Sequence, residues 1–135
     1  MNEYQNQPGA LLDSRPDEAK QKDYRFEELV TSAAPVNWTE KTANEWRSFP
    51  IFDQGNSGSC VAQTLKKMLG VYIWVKTKVW VALSATHIYQ RRINRPSSGM
   101  MGINAFQIAQ QGVTLEDFVP SERLTDAQMD AFLVK

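Results

Sequence analysis

The only cysteine of the chain, Cys60, closes the run Gln54-Gly55-Asn56-Ser57-Gly58-Ser59-Cys60 and stands where apolar residues begin to recur at helical spacing. A thiol at a helix N-terminus meets partial positive charge and unpaired N–H groups, which favour the thiolate and so its nucleophilicity. Gln54 precedes it on a glycine-rich turn that can bend the side-chain amide back toward the sulfur. A thiolate, the N–H groups of a helix start and an amide donor together make the layout of acyl transfer, with Cys60 as nucleophile and Gln54 as oxyanion donor.

The elements that must position these groups follow from periodicity. Val61, Leu65, Met68, Leu69, Tyr72 and Ile73 form a three-to-four-residue stripe, with Lys66 and Lys67 off it, so a central helix with Cys60 at its head is expected. Lys76, Thr77 and Lys78 break the stripe, and Val79–Leu83 reads as extended chain. Ser84 is expected to cap a helix through about Ile93, whose Arg91, Arg92 and Arg95 read as a solvated basic end. The loop 95–102 precedes a short helix, Ile103 to Gln111, stopped by Gly112. Thr125-Asp126-Ala127-Gln128 reads as a capping box opening a last helix to about Leu133. Upstream, residues 1 to about 13 read as a flexible polar arm. Ser14 and Pro16 are expected to start a helix that carries Phe26 and Leu29 inward and ends near Ser32.

The segment FPIFDQGNSGSCVAQT resembles the nucleophile region of the papain-like cysteine peptidases, with Gln54, Gly55, Gly58, Ser59 and Cys60 matching in identity and spacing. Asn44-Glu45-Trp46-Arg47 is similar to that family's Asp-Trp-Arg opening, and Leu83-Ser84 to the Leu-Ser start of its following helix. Ala105-Phe106-Gln107, Gly112-Val113, Glu116 and Pro120 are similar to its next helix and turn. The resemblance spans roughly residues 44 to 121. It implies a mainly α fold: the helical left lobe of the papain-like α+β architecture, over residues 44–135, behind an N-terminal polar arm over 1–43. It also implies a peptide-backbone contact near Gly99 and Gly102, with Met100 and Met101 as an apolar subsite wall, or else as core filler. The bacteriocin-processing peptidases also place a glutamine before their cysteine, but LSATHIYQ and AFQIAQQG resemble the papain branch more.

The sequence departs from that family in two places. Ser57 stands at the family's earlier cysteine and Val61 at its usual aromatic; with a single thiol, no disulfide forms within the chain, which suits a reducing compartment. Relatives place the histidine base and its asparagine about 130 to 150 residues after the cysteine, beyond Lys135 in this numbering. The one histidine, His87, lies inside LSATHIYQ, where the resemblance implies no catalytic residue, and reads as a packed or surface side chain. The base and asparagine are therefore expected from a further segment or a second chain.

Composition narrows the partners. Fifteen basic residues balance fifteen acidic ones, so no global field draws the chain to nucleic acid or membrane. The N-terminus lacks a signal-peptide pattern and no stretch approaches a membrane span, so a cytoplasmic or particle-internal protein is expected. There is no Cys/His metal spacing, P-loop or dinucleotide fingerprint, and neither cofactor nor metal is expected. Glu27-Glu28 and Glu116-Asp117 read as solvated neighbours, and Trp38, Trp46, Trp74 and Trp80 as packing residues. Two functions stay open: a cysteine peptidase, or a nucleophile-bearing fragment of one, acting on peptide or protein substrates; and a catalytically silent papain-like scaffold or binding component of a larger assembly such as a phage particle. Amide hydrolysis outside peptides is a third, lesser option.

Overall fold

A computed structural model of the chain describes residues 14–23 and 49–132. These fall into two compact units that meet in sequence between Phe49 and Pro50. In the first, helix α1 is one turn, Asp17–Lys20, and Pro16 precedes it without a side-chain cap. Ser14 is therefore not the cap that the sequence suggested. The Arg15 guanidinium closes over this turn onto both carboxylate oxygens of Asp23, at 3.0 and 2.6 Å. The polar arm, the inner face assigned to Phe26 and Leu29, and the Asn44–Arg47 motif lie outside the described residues.

The second unit is built on four helices, α2 (Cys60–Thr77), α3 (Ala85–Tyr89), α4 (Gly102–Ala109) and α5 (Asp126–Ala131). Leu83 and Leu115 form an antiparallel bridge, and among the described residues there is no strand longer than a single bridge residue, so the fold is mainly α. Around that bridge the Ser84 N–H donates to the Thr114 carbonyl and the Glu116 N–H to the Ala82 carbonyl, both at 2.9 Å. Among the described residues no helix is long and apolar enough to cross a membrane.

Helix α2 starts at Cys60 as the sequence indicated and ends where Lys78 turns left-handed (φ 60°), its N–H on the Trp74 carbonyl. The expected stripe holds at Leu65, which is buried, and at Val61 and Leu69, which pack on the core, but Met68 and Tyr72 are exposed and the buried face is completed by Ala62, Lys66 and Gly70. Small residues are the cause. Ala62 is in the core, and at Gly70 the Trp80 ring packs directly on the helix, a closeness that a count of large apolar residues does not register.

Helix α3 is capped by the Ser84 hydroxyl, which accepts the His87 N–H at 3.1 Å, and all five of its residues are buried. It stops at Tyr89, short of the expected Ile93. The Arg92 guanidinium folds back there, donating to the carbonyls of Tyr89 (3.1 Å), Pro96 (3.1 Å) and Ser97 (2.8 Å) while gripping Asp130 at 2.6 and 2.9 Å. Arg92 is thus a buried rivet between α3, the following loop and α5, not part of a solvated end. The Thr125 capping box is present: its N–H donates to Gln128 Oε1 at 2.9 Å and its hydroxyl accepts the Gln128 N–H at 3.3 Å.

One core joins these helices: Ala62 and Leu65 of α2, Ala85, Ile88 and Tyr89 of α3, Ala105 and Ile108 of α4, Met129 of α5, and Met100 from the preceding loop. Beside it, the Lys66 ammonium sits 3.0 Å from Glu116 and 3.7 Å from the centre of the Phe52 ring. Glu116 also takes the Ser121 N–H at 2.6 Å and its hydroxyl at 2.8 Å, so this carboxylate is a buried tie rather than a solvated neighbour of Asp117.

Candidate thiol site

The loop that delivers Cys60 is held at each of its turns. Gly55 has φ +64°, and a Cβ there would lie 2.9 Å from Arg123 Cα, so a side chain is excluded on both counts. Asp53 fixes this turn by accepting the Gly55 N–H on its carboxylate at 2.9 Å and the Arg123 N–H on its carbonyl at 2.8 Å. Ser57 is fully buried. Its hydroxyl lies 3.1 Å from the Gln54 carbonyl and 2.7 Å from the Ser59 hydroxyl, a polar staple across the loop. Gly58 is buried against the 95–99 loop; a Cβ on it would meet the Ser98 hydroxyl and lie 2.7 Å from the Gly99 nitrogen. Backbone cannot yield to that contact, which gives the Gly-Ser-Cys glycine a steric reason.

Cys60 is half-buried and reduced, the first residue of α2. Two hollows flank it. One, of about 430 Å³, is lined by Gln54, Gln63, Lys67 and the apolar Ile51, Phe52, Met68, Trp80 and Leu83. The other, of about 230 Å³, lies between α2 and α4 and is lined by Val61, Thr64, Leu65, Met68, Gly102, Ala105 and Phe106. Cys60, Thr64 and Met68, one helical turn apart in succession, line both and form the ridge between them. A chain laid across this ridge would place apolar groups on either side of the sulfur.

Gln54 lines the larger hollow with Cys60, and its Nε2 donates to the Ser57 carbonyl. That bond uses one amide hydrogen and leaves the second free of any hydrogen bond to the loop. Of the loop expected to touch substrate, Gly102 alone lines a hollow with Cys60. Met100 is fully buried in the core and Gly99 is buried, its N–H on the Tyr89 hydroxyl at 2.9 Å and its carbonyl on Asn94 at 3.0 Å. The methionine subsite wall is therefore corrected at Met100, which is core filler. Met101 is partly exposed as the N-cap of α4.

His87 shares neither hollow with Cys60. It is 8% exposed, lines a separate cavity with Arg91, Gln111 and Thr114, and its ring Nε2 pairs with the Arg91 guanidinium. Burial and the Arg91 charge lower its pKa from 6.5, favouring the neutral ring. No group of three or more potential metal ligands occurs among the described residues.

Sequence reasoning missed Asp126. Its carboxylate accepts the Gly58 N–H at 2.9 Å, joining α5 to the thiol loop. Burial alone would raise its pKa, but the bonds from Ser98, Gly58 and Tyr89, with the Arg92 charge, outweigh this and hold it below 3.8. The sequence signal was the capping box, which placed Asp126 at a helix start without indicating what it faces. No protein-family model matches the chain, and no curated protein matches its sequence.

Proposed function

We propose that this chain is the nucleophile-bearing helical lobe of a papain-like cysteine peptidase, with the imidazole base and its asparagine contributed from outside the described residues. The observation that carries this reading is Cys60 at the head of α2, in one hollow with a Gln54 amide hydrogen-bonded to the Ser57 carbonyl. In this reading the Cys60 sulfur attacks the scissile carbonyl carbon, a C–S bond forms, and the carbonyl electron pair moves to oxygen, held by the Cys60 N–H and the Gln54 amide. Collapse breaks the C–N bond, the incoming imidazolium protonates the departing amine, and water then hydrolyses the thioester. Gly102 borders the smaller hollow; Ile51, Phe52 and Trp80 border the larger.

The scaffold reading draws on a specific observation too: the single histidine is buried away from the thiol. Intact mass after exposure to an epoxysuccinyl thiol-peptidase inactivator, with and without added imidazole, separates the two. Iodoacetamide reports access and Cys60→Ser reports the site. The peptidase reading expects epoxide adducts at Cys60 that form faster as imidazole is added, faster than on N-acetylcysteine in the same buffer. Iodoacetamide adducts with epoxide labelling no faster than on N-acetylcysteine would favour the scaffold.

A further inference from the structure

Ser59, the N-cap of α2, makes no side-chain capping bond, so the start of the thiol-bearing helix is not fixed by its own local chemistry. It is fixed from a distance. The Gly58 N–H, two residues before Cys60, donates at 2.9 Å to Asp126, which opens the last described helix. On its other side Gly58 packs against Ser98, Gly99 and the Tyr89 hydroxyl, which accepts the Gly99 N–H at 2.9 Å. The thiol loop, the 95–99 loop and α5 thus meet at Gly58. α5 is in turn held by the Asp130 carboxylate on buried Arg92.

We propose that Asp126 is a positioning residue for the Cys60 thiol: it holds the Gly58 amide, and through it the first turn of α2, in the orientation that presents helix N–H groups to the sulfur. The proposal rests on the thiol-nucleophile reading, but its test needs neither a base nor a peptide. A carboxylate near a thiol could matter by its charge, by stability, or by placement, and the three predict different signs. Loss of negative charge alone speeds thiol alkylation, equally in Asp126→Ala and Asp126→Asn. Loosening of the fold exposes the thiol and also speeds it. Loss of placement removes the helix N-terminus from the sulfur and slows it.

The measurement is the second-order rate of Cys60 alkylation by iodoacetamide at pH 7, on the full chain, for wild type, Asp126→Ala, Asp126→Asn and Asp130→Asn, with circular dichroism as the check on folding. Positioning predicts that Asp126→Ala is slower by about two- to fivefold, the size of a helix-terminus effect. Asp126→Asn, which keeps an oxygen acceptor for Gly58, stays within about twofold of wild type, and so does Asp130→Asn, which weakens the Arg92 tie without touching the loop. Asp126→Ala and Asp126→Asn both faster, or Asp126→Ala unchanged, overturns the proposal. Should Asp126→Ala not fold, amide exchange at Gly58 in Asp126→Asn decides it. Protection retained supports the proposal; protection lost with an unchanged alkylation rate overturns it. Failure of epoxide labelling would count against the peptidase reading alone and leaves these rates interpretable.

Discussion

At the scale of single residues, the proposed site rests on three polar side chains set by backbone contacts. Cys60 is placed by its helix, Gln54 by the Ser57 carbonyl, and Asp126 by the Gly58 amide. His87 belongs to the fold instead, and its titration gives a clean readout because it is the only histidine. Its folded pKa lies below 6.5, so the unfolded chain binds the proton more readily. Stability from this residue is therefore complete above about 6.5 and is lost as pH falls through the folded value. Urea midpoints at pH 7.5 and 5.0 are expected to fall further for wild type than for His87→Gln. An equal fall in both would show that burial of His87 carries no proton linkage. The Gln54-to-Cys60 motif was legible in the sequence because it is local, whereas the grip of Asp126 on Gly58 is a long-range contact that no local pattern encodes.

At the scale of elements, the start of α2, the Ser84 cap and the Thr125 capping box were readable because each is decided within one helical turn. The buried face of α2 was readable only at Val61, Leu65 and Leu69. It turns on the small residues Ala62 and Gly70 and on a lysine that is buried because Glu116 and the Phe52 ring receive it. Desolvation lowers the Lys66 pKa from 10.5 in spite of that pairing, a sign that the pair costs solvation which only mutual contact offsets. Glu116→Ala strands a buried ammonium and is expected to lose about 3–5 kcal/mol in urea unfolding. Lys66→Met, which fills the same space without charge, is expected to lose clearly less. Equal losses would mean that packing, not charge, dominates this joint. The outward face of α2 is a different matter: Met68, Tyr72 and Val75 stay more than half exposed, in line with the ridge that starts at Cys60.

For the molecule as a whole, the mainly α class was legible from helical spacing, and the four helices of the second unit share one core behind the thiol loop. What the sequence could not supply is which loops meet: the 95–99 loop lies against Gly58, and the 121–126 segment against both Gly55 and Gly58. Those meetings put Cys60 on a ridge between two largely apolar hollows. If the thiol and the Gln54 amide act as one site, a peptide aldehyde reveals it without any histidine, since the thiol adds to the carbonyl and leaves an oxygen for the amide to hold. The measurement is the dissociation constant of a peptidyl aldehyde with apolar side chains, followed by the carbon-13 signal of its hemithioacetal. The account predicts a Cys60 adduct tighter than that of N-acetylcysteine, absent in Cys60→Ser and weakened about two- to tenfold in Gln54→Ala, the worth of one hydrogen bond. An adduct no tighter than with the free thiol, and indifferent to Gln54→Ala, would contradict it.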